Sequence, residues 1–415
     1  MGGMIGVPRS ASAGAYPNQV PMVTLVRVVM TTAAHACGRA QVARPRRGSV
    51  KTSIFCTFTY LDPELRSDWP IPGERWNPEH GTRAHQVGME VAKLADRVGF
   101  DWVACSEHHY SSSSLSPNPI LLAAAVSQHL TRARIALLGP TLPLTNPVRV
   151  AEEFAMLDNL SGGKVVAGLL RGTPNEFLTY STKPNETRAL YEEGIEIILK
   201  AWTEPQPFGW VGRHFEFREV SIWPRPVQQP HPPVFMSAAS RESAVFGARH
   251  KLGGAVSFTP PGIAAQQFAV YKEEAQRMGW TPSADELLYR GWCYVAETDE
   301  EAERDLGEGF MGGGVKLTPK ESVLRELVSQ GAPFPGPPPS AARGNGAPPP
   351  PRNPIGMVNF WGSPDTVVRQ LKEMQAATGV GVVDLVFQGP ALPYEKMLRS
   401  VELFGTKVIP QIREI

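Results

Sequence analysis

Eight short apolar runs, rich in β-branched and aromatic residues, alternate along this chain with amphipathic helical segments. Strands buried on both faces have this nearly uninterrupted apolar character, because helices cover both sides of a parallel sheet. A count of eight favours closure of the sheet into a (β/α)8 barrel. We therefore predict an α/β fold of the TIM-barrel type, with strands at Ser53–Phe58, Asp101–Cys105, Arg134–Gly139, Val165–Leu170, Val234–Ser237, Gly254–Phe258, Leu287–Val295 and Val383–Gln388.

The helices between these strands are predicted from apolar spacing and end signals. Val87, Val91, Leu94 and Val98 recur at spacings of four, three and four residues, which gives one apolar stripe. Gly99 follows the stripe and is expected to end the helix. The predicted helices are His80–Val98, Pro147–Asn159, Glu186–Trp202, Arg241–Arg249, Pro261–Met278, Pro364–Ala377 and Glu395–Pro410.

The first fifty residues differ in composition from the rest of the chain. Met1–Val50 contains six arginines and no acidic residue, and the first acidic residue is Asp62. An organelle transit peptide has such a composition, but the favoured interpretation is a start site placed too far upstream, with Val50 as the candidate for the true start. We expect Met1–Arg47 to be disordered. The predicted domains are an extension over residues 1–50 and a barrel over residues 51–415.

Two insertions interrupt the strand–helix alternation and are expected at the C-terminal rim of the barrel. Pro205–Pro233 is rich in proline and aromatic residues and is predicted to be an ordered excursion. Gly331–Pro354 is rich in proline and glycine and cannot pack a core. Because it falls between the seventh and eighth predicted strands, we interpret it as a lid over the site; a passive linker is the alternative.

Charge and cysteine usage narrow the choice of partners. The chain has 41 basic and 40 acidic residues and a net charge of +1, which gives no reason to expect nucleic acid or an anionic membrane as a partner. No apolar run approaches the roughly 18 residues that span a bilayer. The cysteines Cys37, Cys56, Cys105 and Cys293 show no CxxC spacing, and three lie in apolar runs, where buried thiols are expected. We predict a reduced, cytoplasmic setting.

The end of the second predicted strand carries the first candidate chemistry, Glu107-His108-His109. Neighbouring residues on an extended strand point to opposite faces, so the two histidines cannot easily share one metal ion, and we predict no metal site. One imidazole at the mouth of a barrel can exchange protons near neutral pH. Taken alone, the triplet is equally compatible with a structural role.

Three common motifs are absent from the sequence. No GxGxxG follows the first strand, and neither a GxSxG elbow nor a phosphate-binding GxxxxGK[ST] loop occurs. These absences disfavour a doubly wound dinucleotide-binding fold, an α/β-hydrolase fold and a P-loop fold, respectively. In the order and spacing of its motifs, the chain from about Ser53 to Ile412, without the Pro-rich insertion, resembles the bacterial luciferase-like family of flavin-dependent monooxygenases and oxidoreductases. The stretches that carry the resemblance are Leu142–Arg149, Leu157–Lys164, Gly168–Gly172, Gly362–Pro364 and Arg399–Phe404.

The resemblance implies a barrel that binds FMN, usually as reduced flavin delivered by a separate reductase, in a homodimer. It implies that His108 is the catalytic histidine, which assists in forming and protecting the flavin C4a peroxide, and that Arg171 contacts the flavin and its phosphate. Independently, a guanidinium at the C-terminal end of a barrel strand suits a phosphate; a plain surface charge is the alternative for Arg171.

The turn after the fifth strand is the candidate phosphate site. Its small residues allow close approach of the backbone, and the free N–H groups at a helix start favour an anion. In the family this turn holds the FMN phosphate, which makes Ala238, Ala239, Ser240 and Arg241 the candidates. A simple helix cap by Ser240 is the alternative.

The end of the third strand, Leu138-Gly139, lies where the family often has an unusual cis peptide under the flavin ring. A Gly139–Pro140 bond is expected to take the cis form at lower cost than a non-proline bond. Two positions depart from the family's light-emitting members. Leu170 replaces their reactive cysteine, and Glu176 matches their acidic residue only loosely, so light emission on a long-chain aldehyde does not follow.

We predict a flavin-dependent monooxygenase that uses reduced FMN and O2 to oxygenate a small organic substrate by way of a peroxyflavin. Glu107 is expected to orient its neighbours beside His108. Two alternatives remain: a deazaflavin-dependent hydride-transfer enzyme on the same barrel, and a non-catalytic flavin-binding paralogue. Four aromatic residues near the strand mouths are candidates either for a substrate pocket or for packing: Trp69, Trp76, His80 and Tyr110.

Overall fold

A closed barrel of eight parallel strands forms the centre of the protein. The computed structural model describes residues 50–60, 62, 69–307, 359–388 and 392–413. Each strand pairs with the next one along the chain, and the last pairs with the first, which closes the barrel. The strands are β1 (Lys51–Phe55), β2 (Trp102–Cys105), β3 (Arg134–Thr141), β4 (Val165–Leu170), β5 (Val234–Ser237), β6 (Gly253–Ser257), β7 (Leu287–Val295) and β8 (Val382–Val386).

Helices follow the strands and surround the barrel. Several begin with an Asn or Ser side chain that accepts a hydrogen bond from the first turn, as at Asn118 and Ser363, and thereby satisfies free backbone N–H groups. The helices are α1 (Pro78–Val98), α2 (Pro119–Ser127), α3 (Pro147–Leu160), α4 (Pro174–Thr179), α5 (Thr187–Thr203), α6 (Arg241–Arg249), α7 (Pro261–Arg277), α8 (Asp299–Gly307), α9 (Pro364–Thr378) and α10 (Tyr394–Leu403), followed by a π-helical turn Phe404–Val408 and a short helix Ile409–Ile412.

The predicted barrel is confirmed, with strand and helix ends that differ from expectation by a few residues. Three helices, α2, α4 and α8, were not predicted. Helix α2 has the sequence PILLAAAVS, whose apolar residues cover nearly every face and therefore show no helical period, and α4 has only six residues. A short strand, Phe360–Gly362, extends the sheet beside the end of β7.

Side chains fill the inside of the barrel. Phe55, Trp102, Leu138 and Phe235 belong to a buried cluster that is contributed by all but one of the strands and is separate from the larger core between barrel and helices. Because side chains occupy the interior of the barrel, ligands bind at its C-terminal rim, where the βα loops lie. The fold therefore places a functional site at the ends of the strands and in these loops.

The insertion Pro205–Pro233 is ordered, as predicted, but it lies at the opposite end of the barrel from the expected rim. It contains an antiparallel hairpin of Phe208–Val211 and Glu216–Val220. Gln228 donates a hydrogen bond to the carbonyl of Val165, the first residue of β4. The physical reason is that a segment between a helix and the following strand returns the chain to the N-terminal end of the sheet.

The extension Met1–Arg47 and the Pro-rich segment Gly331–Pro354 lie outside the described residues. The domain division at residue 50 and the lid interpretation therefore stay predictions. None of the helices that the structure describes combines the length and the apolar character needed to cross a membrane.

Candidate active site

The candidate residues occupy the ends of four strands that are direct neighbours in the barrel. Glu107 and His108 follow β2, Leu138 and Gly139 lie in β3, Arg171 follows β4, and the turn of residues 238–241 follows β5. Because parallel strands end at the same edge, these residues form one continuous arc of the C-terminal rim. The sequence prediction of a shared rim agrees with this arrangement.

His108 pairs with an acidic residue of the next loop but one. Its Nδ1 donates a hydrogen bond of 3.0 Å to Oε1 of Glu176 in α4, because an ionised carboxylate only accepts hydrogen bonds. The Glu176 side chain is buried, whereas that of His108 is 27% exposed. The contact fixes the ring and leaves Nε2, which has no hydrogen-bond partner among the described residues, directed away from Glu176.

Glu107 pairs with His109 and not with His108. Its Oε1 accepts a hydrogen bond of 2.9 Å from His109 Nε2, and its Oε2 accepts one of 2.9 Å from the backbone N–H of Thr141. All three residues are buried. Glu107 therefore ties the end of β2 to the end of β3, which supports a positioning role, and the two histidines face different carboxylates.

The end of β3 combines a buried side chain with a glycine. Leu138 packs inside the barrel, and Gly139 has a φ of 139°, a backbone conformation that favours glycine. An added Cβ at Gly139 would lie 3.2 Å from the backbone nitrogen of Glu107. The expected cis bond between Gly139 and Pro140 is wrong: the cis bonds of the described residues are at Pro70, Pro224 and Pro230.

Unpaired polar atoms lie in the loops after β2 and β4, the two strands that flank β3. Ser106 Oγ, Asn175 Oδ1 and Glu176 Oε2 are buried without a hydrogen-bond partner in the described structure. Buried polar atoms of this kind are rare unless a ligand or water completes them. A flat ring with polar edges, placed over Gly139, would supply partners, so the residues present fit a flavin.

Arg171 is exposed at the rim. Burial raises the pKa of the neighbouring Tyr191, while the guanidinium of Arg171 acts in the opposite direction. The Tyr191 hydroxyl donates to the carbonyl of Leu169 at the end of β4. Arg171 forms no ion pair with another described residue, so its charge is available to an anion.

The turn before α6 holds its candidates in different ways. Ser240 caps the helix by accepting a hydrogen bond from the N–H of Ser243, as in the alternative interpretation. Arg241 turns away and pairs with the buried Glu274 of α7 at 3.0 Å. Arg188, in the first turn of α5, places its Nη2 3.5 Å from Ser240 Oγ and pairs through Nη1 with Glu192 at 3.2 Å.

Two contacts were not predicted from the sequence. Arg188 and Ser240 are 52 positions apart in the chain, and His108 and Glu176 are 68 positions apart. Only the fold brings them together. For Glu176 the one local signal was its loose match to an acidic position, and for Arg188 no signal was present.

A cavity of about 690 Å³ lies beside His108, between the loops after β1 and β2 and the helices α1 and α2. Its wall includes His108 and His109 but none of the candidates at Arg171 or in the turn 238–241. Of the four aromatic candidates, Trp76 and Tyr110 line this cavity. Trp69 is buried and donates to the His109 carbonyl, and His80 packs against Tyr60.

Comparison with known proteins places this geometry among flavoenzymes. A family model described as luciferase-like monooxygenase matches residues 68–380. The alkanal monooxygenase alpha chain of Photorhabdus luminescens is 29% identical over 232 residues, which cover 54% of this chain and 62% of the relative. The oxygenase component of a flavin-dependent trigonelline monooxygenase of Acinetobacter baylyi is 26% identical, with coverages of 52% and 60%. The matches thus span less than two thirds of these relatives.

Solved structures share the fold over nearly their whole length. The oxygenating constituent of 3,6-diketocamphane monooxygenase of Pseudomonas putida, in complex with FMN, has a TM-score of 0.66 and 21% identity and covers 87% of this chain and 98% of that one. An F420-dependent secondary alcohol dehydrogenase has a TM-score of 0.64 and 15% identity, with coverages of 88% and 99%. At these identities the likeness establishes the fold alone.

Proposed function

Because the chain belongs to the luciferase-like monooxygenase family, we propose that it oxygenates a small organic substrate with reduced FMN and O2. The observation that carries the proposal is the pairing of His108 with the buried Glu176 at the rim, next to a cavity of about 690 Å³. A group that can exchange protons thus belongs to the wall of a space for an organic molecule.

FMN would be held by three parts of the arc. The ring would lie over Gly139, and the unpaired polar atoms of Ser106, Asn175 and Glu176 would be the candidates to contact its polar edges. The phosphate would be held by Arg171, by the Ala238–Ser240 turn and by Arg188, since guanidinium groups and N–H groups at a helix start both favour phosphate. Arg188 also pairs with Glu192 through Nη1, but its Nη2 lies beside the Ser240 turn. Arg241 pairs with the buried Glu274 of another helix, and its role would be structural.

Bound reduced FMN would supply the electrons that activate O2, chemistry that lies in the cofactor and not in the protein. The chain's own residues would orient the reactants, exclude water and move one proton. His108 is placed for the proton step: Glu176 fixes its Nδ1, and Nε2 is left to donate or accept. The carboxylate also stabilises the ring in its charged form during the exchange.

A separate flavin reductase would deliver the reduced cofactor. The relative from Acinetobacter baylyi is named as an oxygenase component, which supports a two-component system. A homodimer is also proposed, because Met156 and Leu160 expose apolar side chains one helical turn apart on α3. The unpaired, buried thiols Cys56, Cys105 and Cys293 are compatible with a reducing, cytoplasmic setting.

Hydride transfer with a deazaflavin is the second candidate, because an F420-dependent dehydrogenase shares this fold. The two are separated by anaerobic titration of the protein with reduced FMN and with reduced F420, followed by mixing with O2. We expect tight binding of reduced FMN and an altered rate of its reoxidation.

Preferential binding of F420, with no effect on flavin reoxidation, would reject the monooxygenase proposal in favour of hydride transfer. A protein that binds reduced FMN but leaves the rate of its reoxidation and the yield of hydrogen peroxide unchanged, with every substrate offered, would instead be a non-catalytic flavin carrier.

A further inference from the structure

We infer that the cavity beside His108 is a substrate pocket for uncharged, predominantly apolar molecules that present an aromatic or similarly flat body. This inference deepens the proposed function and rests on it in one respect: the ligand is a substrate only if the protein is an oxygenase. The binding preference itself is a property of the cavity. At about 690 Å³, the space lies within the range of roughly 300–1,000 Å³ that is usual for pockets of drug-sized ligands.

Flat aromatic side chains form one wall of the cavity. The rings of Tyr60 and Trp76 lie 5.5 Å apart at an angle of 30°, and Tyr110 extends the wall towards His108. Trp76 is seated on α1 where Gly81 provides room: an added Cβ there would lie 2.1 Å from the indole. The aromatic wall is therefore built into the helix and suits stacking against a flat ligand.

Aliphatic side chains form much of the rest of the lining. Met89 of α1 and Leu122 of α2 lie on opposite sides of the cavity, and Ile71 and Leu115 belong to its loops. No aspartate, glutamate or lysine is among the lining residues that the structure describes, and the arginine, Arg75, is exposed to solvent. A ligand gains most of its binding energy here by removing apolar surface from water.

Most polar groups in the wall are already used within the protein. The two ring nitrogens of His85 lie within 3.1 Å of the backbone carbonyls of Gly81 and Leu115, so the single N–H of the neutral ring is used within the protein, and Ser114 is bonded to Ser116. Asn118 caps α2 with its side-chain oxygen. A charged ligand would lose its hydration in the apolar part of the cavity, away from the solvent-exposed Arg75, and this loss is costly.

Nε2 of His108 and the hydroxyl of Tyr110 are among the polar atoms of this wall without a partner in the described residues. Tyr110 lies two residues beyond His108 in the same loop, so these two atoms belong to one end of the lining. A ligand with one polar group would place that group at this end and its apolar body towards Trp76. The atom beside the polar group would then be the one presented to His108.

The test uses the full-length protein without flavin and two probes of similar size, neutral 2-naphthol and anionic 2-naphthoate. Dissociation constants are measured by isothermal titration calorimetry. We expect 2-naphthol to bind at least tenfold more tightly than 2-naphthoate. Equal affinities, or a preference for the anion, would overturn the inference.

Two variants locate the binding. Ala125→Trp fills the cavity from the exposed side of α2, and Gly81→Ala displaces the indole of Trp76. Each should weaken 2-naphthol binding about tenfold or more and leave the dissociation constant of FMN unchanged. The matched control Ala376→Trp, on the exposed face of α9, should alter neither constant.

Circular dichroism and thermal melting confirm that each variant is folded. Unchanged 2-naphthol binding in a folded Ala125→Trp protein would overturn the inference, because the probe would then lie elsewhere. The inference and the proposed function can fail separately. If Ala125→Trp weakens 2-naphthol binding but the protein does not bind FMN, the pocket is supported and the oxygenase assignment is rejected.

Discussion

His108 and Glu176 face each other at 3.0 Å across the rim of the barrel, with the carboxylate buried and the imidazole partly open to solvent. The contact joins the end of β2 to α4, and it passes over the end of β3, the strand between β2 and β4. It determines which nitrogen of the ring is held and which is left to react. The predictions on chemistry below follow from this relationship.

Replacement of His108 by alanine should uncouple flavin oxidation from product formation. FMN binding should persist, because the proposed phosphate ligands lie elsewhere on the rim, while loss of the proton-exchanging group should lower product formed per NAD(P)H on the order of a hundredfold. The measurement is the ratio of product to hydrogen peroxide in a reductase-coupled assay. His129→Ala, an exposed histidine after α2, is the control, and unchanged coupling in His108→Ala would remove the assigned role.

Glu176 should act through His108 as a positioning residue. Glu176→Ala should lower coupling about tenfold, whereas Glu176→Gln should recover part of the loss, because its amide oxygen still accepts from Nδ1. The decisive measurement is a double-mutant cycle. The variant with both His108→Ala and Glu176→Ala should be no worse than His108→Ala alone; strictly additive effects would show that Glu176 acts independently.

Two arginines near the α6 turn should behave differently. Arg188→Ala should raise the dissociation constant of FMN about tenfold, which corresponds to about 1.4 kcal/mol, and should leave riboflavin binding unchanged, since riboflavin lacks the phosphate. Arg241→Ala should leave both constants unchanged and lower the melting temperature, because it leaves the buried Glu274 with one fewer partner. Fluorescence titration of both ligands against both variants decides this, and equal effects on FMN and riboflavin would contradict the phosphate role of Arg188.

Charge placed on the exposed apolar residues of α3 should dissociate the proposed homodimer. Met156 and Leu160 are one helical turn apart and are 49% and 55% exposed. Met156→Glu combined with Leu160→Glu should convert dimers to monomers in sedimentation equilibrium. Met278→Glu, at a comparably exposed methionine after α7, should not. A wild-type protein that is already monomeric would reject the proposal.

Asp96 should make stability depend on pH in the acid range. Burial raises the pKa of its carboxyl, but hydrogen bonds from Ala133, Thr131 and Arg132 outweigh this effect and bring the pKa to about 2. A pKa lowered by folding stabilises the native state above the unfolded value of about 3.9, and this contribution is lost as pH falls towards 2. Its size at neutral pH is about 2 kcal/mol.

The measurement for Asp96 is the free energy of unfolding as a function of pH, in the wild type and in Asp96→Asn. The difference between them should be largest at pH 5–7, by the same linkage argument, and should shrink from about pH 4 to about pH 2. Glu373→Gln, an exposed carboxylate of α9, should show no such trend. A difference that does not vary with pH would refute the assignment.

The alternation of strands and helices could be predicted from the sequence because most elements carry a local signal, either an apolar run or an apolar periodicity. The run Val165–Leu170 is apolar throughout since both of its faces are buried, and the stripe on α1 is periodic since one face is. Helix α2 was not predicted because it is apolar on nearly all sides and therefore shows no helical periodicity. The insertion Pro205–Pro233 was expected at the wrong end, although the predicted order of a helix before it and a strand after it corresponds to a connection at the N-terminal end of the barrel.

The sequence by itself determined the barrel, and its motifs determined the family and the residues worth testing. Only the tertiary structure decided the pairing: His108 with Glu176, His109 with Glu107, Arg188 with the Ser240 turn, and Arg241 with Glu274. The physical reason is one of range. Strand and helix patterns reflect burial and spacing within ten or twenty residues, whereas a hydrogen bond between side chains needs positions within about 3 Å that distant segments acquire only when the barrel closes.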